Sequence, residues 1–341
     1  MIAENDGGQR LDRFLKKYLK NASLSNIYRM IRKDVKLNGK RGHVNTILNA
    51  GDALTIYVGR SELDRFRAVQ PALTAKKQFK IIFEDDNILV VDKPFGLLVH
   101  GDGQEKQRTL VNQVRGYLES TGEHDQKKEK VFRLAPANRL DRNTTGIVVF
   151  GKNAAAARAL AKGFREKGKL QKYYLSIVKG EIKQKLLLKG IITKDESKNI
   201  VRISDAGSNY IRNANDKAAL SRGGFSKKQK KIETVVVPRK CKKGFTFVEI
   251  QIMTGRTHQI RAHLAHAGYP LIGDAKYGDR DFNLQMKECY GLTTQLLHAN
   301  RLAFVNMSPP LGYLDGMEIK ANPSRFDNRS EERRVGKECR S

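Results

Sequence analysis

The sequence predicts an α+β protein: a mainly antiparallel mixed sheet flanked by helices and loops, with a small α/β unit at the N-terminus. Three observations lead there. Stretches with strand character outnumber helical ones and do not alternate with them, which argues against repeated βαβ units. Two basic amphipathic helical patterns followed by short strand-like runs fill residues 1–60. A length of 341 residues exceeds a typical single domain, so two or more compact units are expected.

In chain order, RLDRFLKKYLK (Arg10 to Lys20) sets Leu11, Phe14, Leu15, Tyr18 and Leu19 at helical spacing among basic residues. SNIYRMIRK (Ser25 to Lys33) repeats the device, with Ser at a plausible N-cap and Ile27, Met30 and Ile31 apolar. VKLNGK reads as a strand and an Asn-Gly turn, and LNAGDALTIYV as a turn into another strand. These elements suit a compact RNA-binding module, although each helix taken alone reads equally as a solvated basic face. Residues 61–78 lack a clear period and are expected to be a linker. FKIIFEDDNILVVDKPFGLLVH (Phe79 to His100) argues strands and a turn. IVVFGKN (Ile147 to Asn153) is a strand with its exit, and Ala154 to Gly168 a helix closed by glycine. KYYLSIVKG is a strand. Residues 183–231 are Lys-rich and weakly patterned, so irregular strands and an exposed basic loop at SRGGFSKKQKK are expected. FTFVEIQIMTG is a strand, Arg256 to Gly268 a helix closed by glycine, and Leu296 to Phe304 a late strand. Residues 326–341 are charge-dense and unlike what precedes them. They read as a disordered tail whose native origin is open.

Composition narrows the function. Sixty-five Lys and Arg against 36 Asp and Glu leave +29, which points to a polyanionic partner, nucleic acid above all. No run approaches eighteen apolar residues, so no membrane span or membrane partner is expected. The N-terminal MIAENDGGQRLD has no signal-peptide core. Cys241, Cys289 and Cys339 are far apart, which excludes a disulfide framework and a CxxC zinc site and suits a reducing cytoplasm.

The sharpest local signal is NRLDRNTTGIVVFGKN (Asn138 to Asn153). Arg139 and Arg142 flank Asp141 and favour its ionised form. A positioned carboxylate can be a nucleophile or a base; it can equally open a turn and pair with arginine for structure. The second signal is TGRTHQIRAHLAHAGYPLIGDAKYGD (Thr254 to Asp279). Arg256 follows a Thr-Gly turn at the expected helix start, a good place for a cation that orients a carboxylate or a phosphate. His258, His263 and His266 lack the spacing and the glutamate of a metalloprotease helix, so capping and core hydrogen bonds suit them better than metal. Only one of Tyr173 and Tyr174 can face a given site, because successive strand residues point to opposite sides. Dinucleotide, P-loop, deaminase and nucleophile-elbow templates fail.

Together these residues resemble the pseudouridine synthases of the ribosomal large-subunit class, the RluA/RluC type, over about residues 10–320. The family signature HRLDxxTSG reads NRLDRNTTG here; GRTHQIRxH stands intact from Gly255 to His263. The run Gly273, Asp274, Tyr277, Gly278, Asp279 and the KP-G--VH run from Lys93 to His100 also fit. Residues 10–58 are similar to the small RNA-binding domain named after ribosomal protein S-four. The resemblance implies an S-four-like domain at 1–60 and a pseudouridine synthase catalytic domain at 79–325. It implies Asp141 as catalytic aspartate, Arg142 as the arginine that fills the gap left by the extruded uridine, and Tyr174 as the tyrosine that stacks on the target base, with Tyr173 the alternative. It implies Arg256 as the basic partner of the carboxylate and Ile260 as a wall of the uracil pocket. Asn138 and Thr145 depart from the usual His and Ser, and hydrogen bonds from either can still hold the loop. The implied reaction is an isomerisation that needs no cofactor and no metal, on ribosomal RNA or a pre-ribosomal large subunit, by a cytoplasmic monomer. A non-catalytic RNA-binding or ribosome-assembly protein on the same fold is the alternative.

Overall fold

The computed structural model of the chain describes residues 1–67, 76–122, 131–195, 199–205, 229–242 and 244–323. Residues 221–228 of the expected basic loop, 68–75 of the expected linker and the 326–341 tail lie outside the described residues.

β1 (Gln9–Arg10) leads into α1 (Leu11–Tyr18), and α2 (Leu24–Lys33) follows, capped by Ser23, whose hydroxyl accepts from Asn26 N at 3.2 Å. The apolar spacing in both helices becomes one buried cluster that includes Leu11, Leu15, Leu19, Ile27, Met30 and Ile31. β2 (Val35–Leu37) and β3 (Lys40–Arg41) form a hairpin whose Asn38 and Gly39 both have positive φ, as a tight two-residue turn with the twist of its strands requires. β4 (Ile47–Leu48) pairs with β1, and β5 (Leu54–Ile56) with β2. The expected linker begins instead with a helix, α3 (Arg60–Phe66), because Phe66 is apolar enough to return to the same core.

The remaining elements are β6 (Lys80–Glu84), β7 (Ile88–Lys93), α4 (Leu110–Ser120), β8 (Thr145–Gly151), α5 (Ala154–Arg165), β9 (Leu170–Lys179), β10 (Leu186–Asp195), β11 (Ile200–Asp205), β12 (Lys230–Lys242), β13 (Phe245–Ile252), α6 (Gln259–His266), α7 (Arg280–Tyr290), β14 (Leu297–Phe304) and β15 (Glu318–Lys320). They build a ten-stranded sheet in the order β11-β10-β12-β13-β9-β14-β8-β7-β6, with β15 also on β14. Every pairing in it is antiparallel except that of β14 with β8. In the described part of the segment expected to hold irregular strands, β10 and β11 pair regularly over six residues.

The apolar runs ILVV and IVVF are explained by burial on both faces. Ile88, Val90, Ile147 and Val149 face α5 and the large core, while Leu89, Val91, Val148 and Phe150 face Leu110, Val114 and Leu118 of α4. The N-terminal unit is tied to this body. Buried Asp6 accepts the backbone N–H groups of Val131 (3.0 Å) and Phe132 (2.7 Å), and Asn5 accepts from Ala154 N (3.0 Å).

The parallel β8–β14 contact brings two backbones together at Gly146, which has a φ of 103°. A Cβ there would overlap the Ala299 carbonyl oxygen. Gly146→Ala is therefore expected to lose about 3 kcal/mol or more, read by urea unfolding, because it adds strain at positive φ to a backbone clash.

Candidate active site

Asp141 lies in the turn that feeds β8, where Thr144 N donates to its carbonyl at 3.1 Å. The loop is gripped from several sides. Asn138, which stands where the family motif has His, donates to Ile147 O (3.0 Å) and accepts from Val149 N (2.9 Å), closing the loop onto the edge of β8. Thr145 keeps the hydroxyl of the usual Ser and bonds to His298 Nδ1 at 2.8 Å. Fully buried Lys93 donates to the carbonyls of Pro94 (3.0 Å), Leu97 (2.8 Å) and Arg142 (2.9 Å). Burial lowers its pKa to about 7, with Asp141 and Asp92 pulling the other way.

Across the site, Arg261 on α6 joins two carboxylates. It holds Asp274 in a fork, Nε to Oδ2 at 2.6 Å and Nη2 to Oδ1 at 2.8 Å, and gives Nη1 to Asp141 Oδ2 at 3.0 Å. The Asp274 side chain has no exposed surface, against 30% for that of Asp141. Burial alone would raise the Asp274 pKa. The Arg261 bonds and charge, with the N–H groups of Lys276 and Tyr277, outweigh it and hold the group below the usual carboxylate range. The same two carboxylates hold Arg261 firmly protonated against its own burial.

His258 stands beside the pair, with Nε2 3.8 Å from Asp141 Oδ2. Its Nδ1 meets the Tyr277 hydroxyl at 2.9 Å, and that hydroxyl accepts from Val201 N at 2.9 Å. That contact fixes the ring, with Nδ1 on the Tyr277 hydroxyl and Nε2 as the ring nitrogen on the Asp141 side. Burial lowers the His258 pKa; Asp141 opposes it, while Arg261 and Lys276 add to it.

Tyr174 completes the pocket from β9. It is buried, and its hydroxyl pKa is raised by burial and then by Asp141, so it stays a neutral ring. The pocket wall further includes Leu140, Thr144, Ile252, Arg256, Ile260 and Leu297. The Thr144 hydroxyl is buried and makes no hydrogen bond among the described residues. Strand alternation separates the tyrosines: Tyr173 lies on the other face, bonded to Gln171 at 2.6 Å and covered by the Arg301 guanidinium 3.6 Å from its ring.

The sequence-derived set thus comes together in part. Asp141, Tyr174, Ile260 and Arg256 line one pocket. Arg142 is exposed and paired with Asp102 at 3.1 Å, next to Asp141 in the chain but outside the pocket wall. One pairing is corrected: Arg261, not Arg256, holds Asp141. The expected helix also starts later, at Gln259, because the Gln259 side chain accepts from Arg256 N (3.1 Å) and from the Thr254 hydroxyl (2.8 Å) and keeps residues 256–258 in a turn, with His258 at a φ of 52°. Sequence reading missed Arg261, His258, Lys93 and Thr144 as site groups. The GRTHQIRxH and KP-G--VH runs contained the first three without showing what each would touch.

The sequence profile described as RNA pseudouridylate synthase matches residues 87–266. The ribosomal large subunit pseudouridine synthase C of Salmonella typhimurium is 36% identical over 315 residues, covering 89% of this chain and 88% of its own. The Escherichia coli protein of the same name is 35% identical over 315 residues, with 89% and 88% covered. Among solved structures, human RNA pseudouridylate synthase domain containing 4 superposes with a TM-score of 0.55 at 22% identity, covering 75% of this chain and 92% of that one, a likeness of fold.

Two outcomes follow from the geometry. In the folded chain Lys93 releases its proton below the ordinary lysine range, so between about pH 7 and 10 the unfolded chain binds more protons and stability rises with pH. Lys93→Met should remove that rise: the stability gap in urea between wild type and variant should widen by about 1–2 kcal/mol from pH 7 to pH 9. A second substitution, Tyr277→Phe, should cost about tenfold in kcat, roughly one hydrogen bond. The same variant should change the imidazole tautomer populations at His258, whose Nδ1 loses its hydroxyl partner, read by nitrogen-15 NMR.

Proposed function

The chain belongs to the RNA pseudouridylate synthase family and is an RNA pseudouridine synthase, and on that premise we propose that it isomerises specific uridines of large-subunit (23S) ribosomal RNA, with Asp141 as the catalytic group. The observation that carries this reading is the Asp141 carboxylate held by Arg261 at 3.0 Å beside the buried ring of Tyr174. The relatives that align over most of the chain are named as ribosomal large-subunit synthases, which supports this substrate.

The chemistry needs few parts. The glycosidic carbon–nitrogen bond breaks, the uracil turns, and its C5 bonds to the same sugar carbon; C5 gives up its proton and the freed N1 gains one, so no net electrons, water or phosphate are consumed. Asp141 either attacks the sugar or removes a sugar proton to give a glycal. Arg261 serves both routes by fixing the carboxylate oxygen that is not attacking. His258 Nε2 lies 3.8 Å from the same oxygen, beyond hydrogen-bond range, and walls that side of the carboxylate. The target base leaves its stack at a cost of a few kcal/mol. Stacking on Tyr174 returns roughly 1–3 kcal/mol. Ile260 and Leu297 give the base an apolar wall. Arg142, exposed and next to Asp141, is suited to enter the vacated stack on releasing Asp102.

The RNA is held mainly by charge. The N-terminal helices carry Arg13, Lys16, Lys17, Arg29, Arg32 and Lys33 around their buried stripes, so residues 1–60 act as the RNA-binding, S-four-like domain beside the catalytic one. A polyanion bound this way is released steeply by salt. No described helix is long and apolar enough to cross a membrane. A monomer working in the cytoplasm fits this reading.

Pseudouridines in large-subunit RNA should be mapped by carbodiimide labelling and primer-extension stops, in cells with and without the gene. One or a few stops should vanish on deletion and return with wild type but not with Asp141→Asn, which should still bind RNA within a few fold. An unchanged map would redirect the search to transfer RNA. Full rescue by Asp141→Asn would remove Asp141 from the mechanism and favour a binding role for the fold.

A further inference from the structure

Correcting the partner of Asp141 leaves Arg256 without the carboxylate expected for it, and a second cation lies beside it. Lys172 sits two residues before Tyr174 on β9 and shares its face, about 7 Å along the strand. Its neighbours across the sheet are Ile252 and Leu302. A Cβ on Gly255 would lie 3.6 Å from Lys172 Nζ, so the ammonium rests against the Gly255–Arg256 turn. Ile252 lines both the Asp141 pocket and the adjoining recess that contains Lys172.

Among the described residues neither Lys172 nor Arg256 forms a salt bridge. Glu166, the acid that lines the recess, is engaged by Lys169 at 2.9 Å and Lys162 at 3.9 Å, and Arg165 adds a further cation to the wall. Lys172 is half-buried. Burial first, and then the Arg256 charge, lower its pKa. Like charges gathered without a counter-ion disfavour each other's ionised form, and an anion between them would relieve that. Arginine supplies a planar donor fork and lysine a compact point charge, the two common ways of holding a phosphate.

We propose that Lys172 and Arg256 form a phosphate-binding site for the phosphodiester adjoining the flipped uridine, one residue pair outward from the stacking Tyr174. The inference rests on the uridine-isomerising reading and deepens it. The reaction gives such a site a purpose. While the uracil is detached, the ribose must stay in register with Asp141, and a clamp on its phosphate holds it there when the glycosidic bond no longer does.

The test uses the full chain with carbon-13 labels on lysine Cε and tyrosine, and uridine 3′,5′-bisphosphate as probe, with uridine as the control lacking phosphate. The bisphosphate should move the Lys172 titration up toward the ordinary lysine range while shifting Tyr174, and uridine should move only Tyr174. In RNA-binding assays, Lys172→Gln and Arg256→Gln should each lower the salt slope by about 0.7, the value for one lost contact to a single strand, which a merely structural role would not do. A bisphosphate that shifts Tyr174 and leaves Lys172 unmoved, with unchanged salt slopes, overturns the phosphate site alone and leaves the uridine pocket standing. A loss of the uridine reading shows separately, as a ribosomal and transfer RNA map that the gene does not alter.

Discussion

The site depends on one guanidinium with two carboxylates. Asp274 is fully enclosed, and a buried carboxylate without a paired cation would cost several kcal/mol. Arg261 meets that need through two of its nitrogens and still has Nη1 for Asp141. The fork makes the orientation rigid, because rotation of the guanidinium would break two short bonds in order to bend a third. The carboxylate assigned to catalysis is therefore aimed by a structural ion pair beneath it. Asp274 is in turn fixed by the N–H groups of Lys276 and Tyr277, so the turn after Gly273 reports directly on the position of Asp141.

The opposite side of the pocket follows the same rule with different groups. The loop bearing Asp141 cannot pair with a strand along its whole length, so side chains satisfy its backbone. Lys93 supplies a donor to the Arg142 carbonyl, and Asn138 supplies both a donor and an acceptor to β8. The two departures from the family motif keep the hydrogen-bonding capacity their positions use. Asn138 brackets two backbone groups of β8, and Thr145 retains a hydroxyl for His298, whose imidazole burial holds neutral with a pKa of about 4. The change of residue type therefore falls on the supports of the loop and leaves the chemistry in the pocket intact.

Charge is distributed by function. Inside, Arg261 is matched with Asp274 and Asp141, and Lys93 is met by three carbonyls instead. Outside, the net +29 is left for solvent and RNA. Lys172 and Arg256 lie on the border between these regimes, close to each other and, among the described residues, without a salt bridge. Half-burial beside the neutral ring of Tyr174 is what distinguishes Lys172 from the exposed lysines around it.

Much of this was legible in one dimension. The two-faced apolar runs ILVV and IVVF marked the central strands, the Asn-Gly pair marked a tight hairpin, and NRLDRNTTG marked the loop bearing Asp141. Helices α4 and α7 escaped notice, although α4 carries Leu110, Val114 and Leu118 at helical spacing, a pattern that could have shown it. Period alone also started the helix of GRTHQIRxH at Arg256, whereas the Gln259 side chain holds that residue in a turn. So the sequence determined which residue types gather at the site, through local patterning and motif. Only the tertiary structure decided that Arg261 rather than Arg256 reaches Asp141, because that choice depends on which turn of α6 faces a loop 120 residues away, a distance that spacing along the chain does not encode.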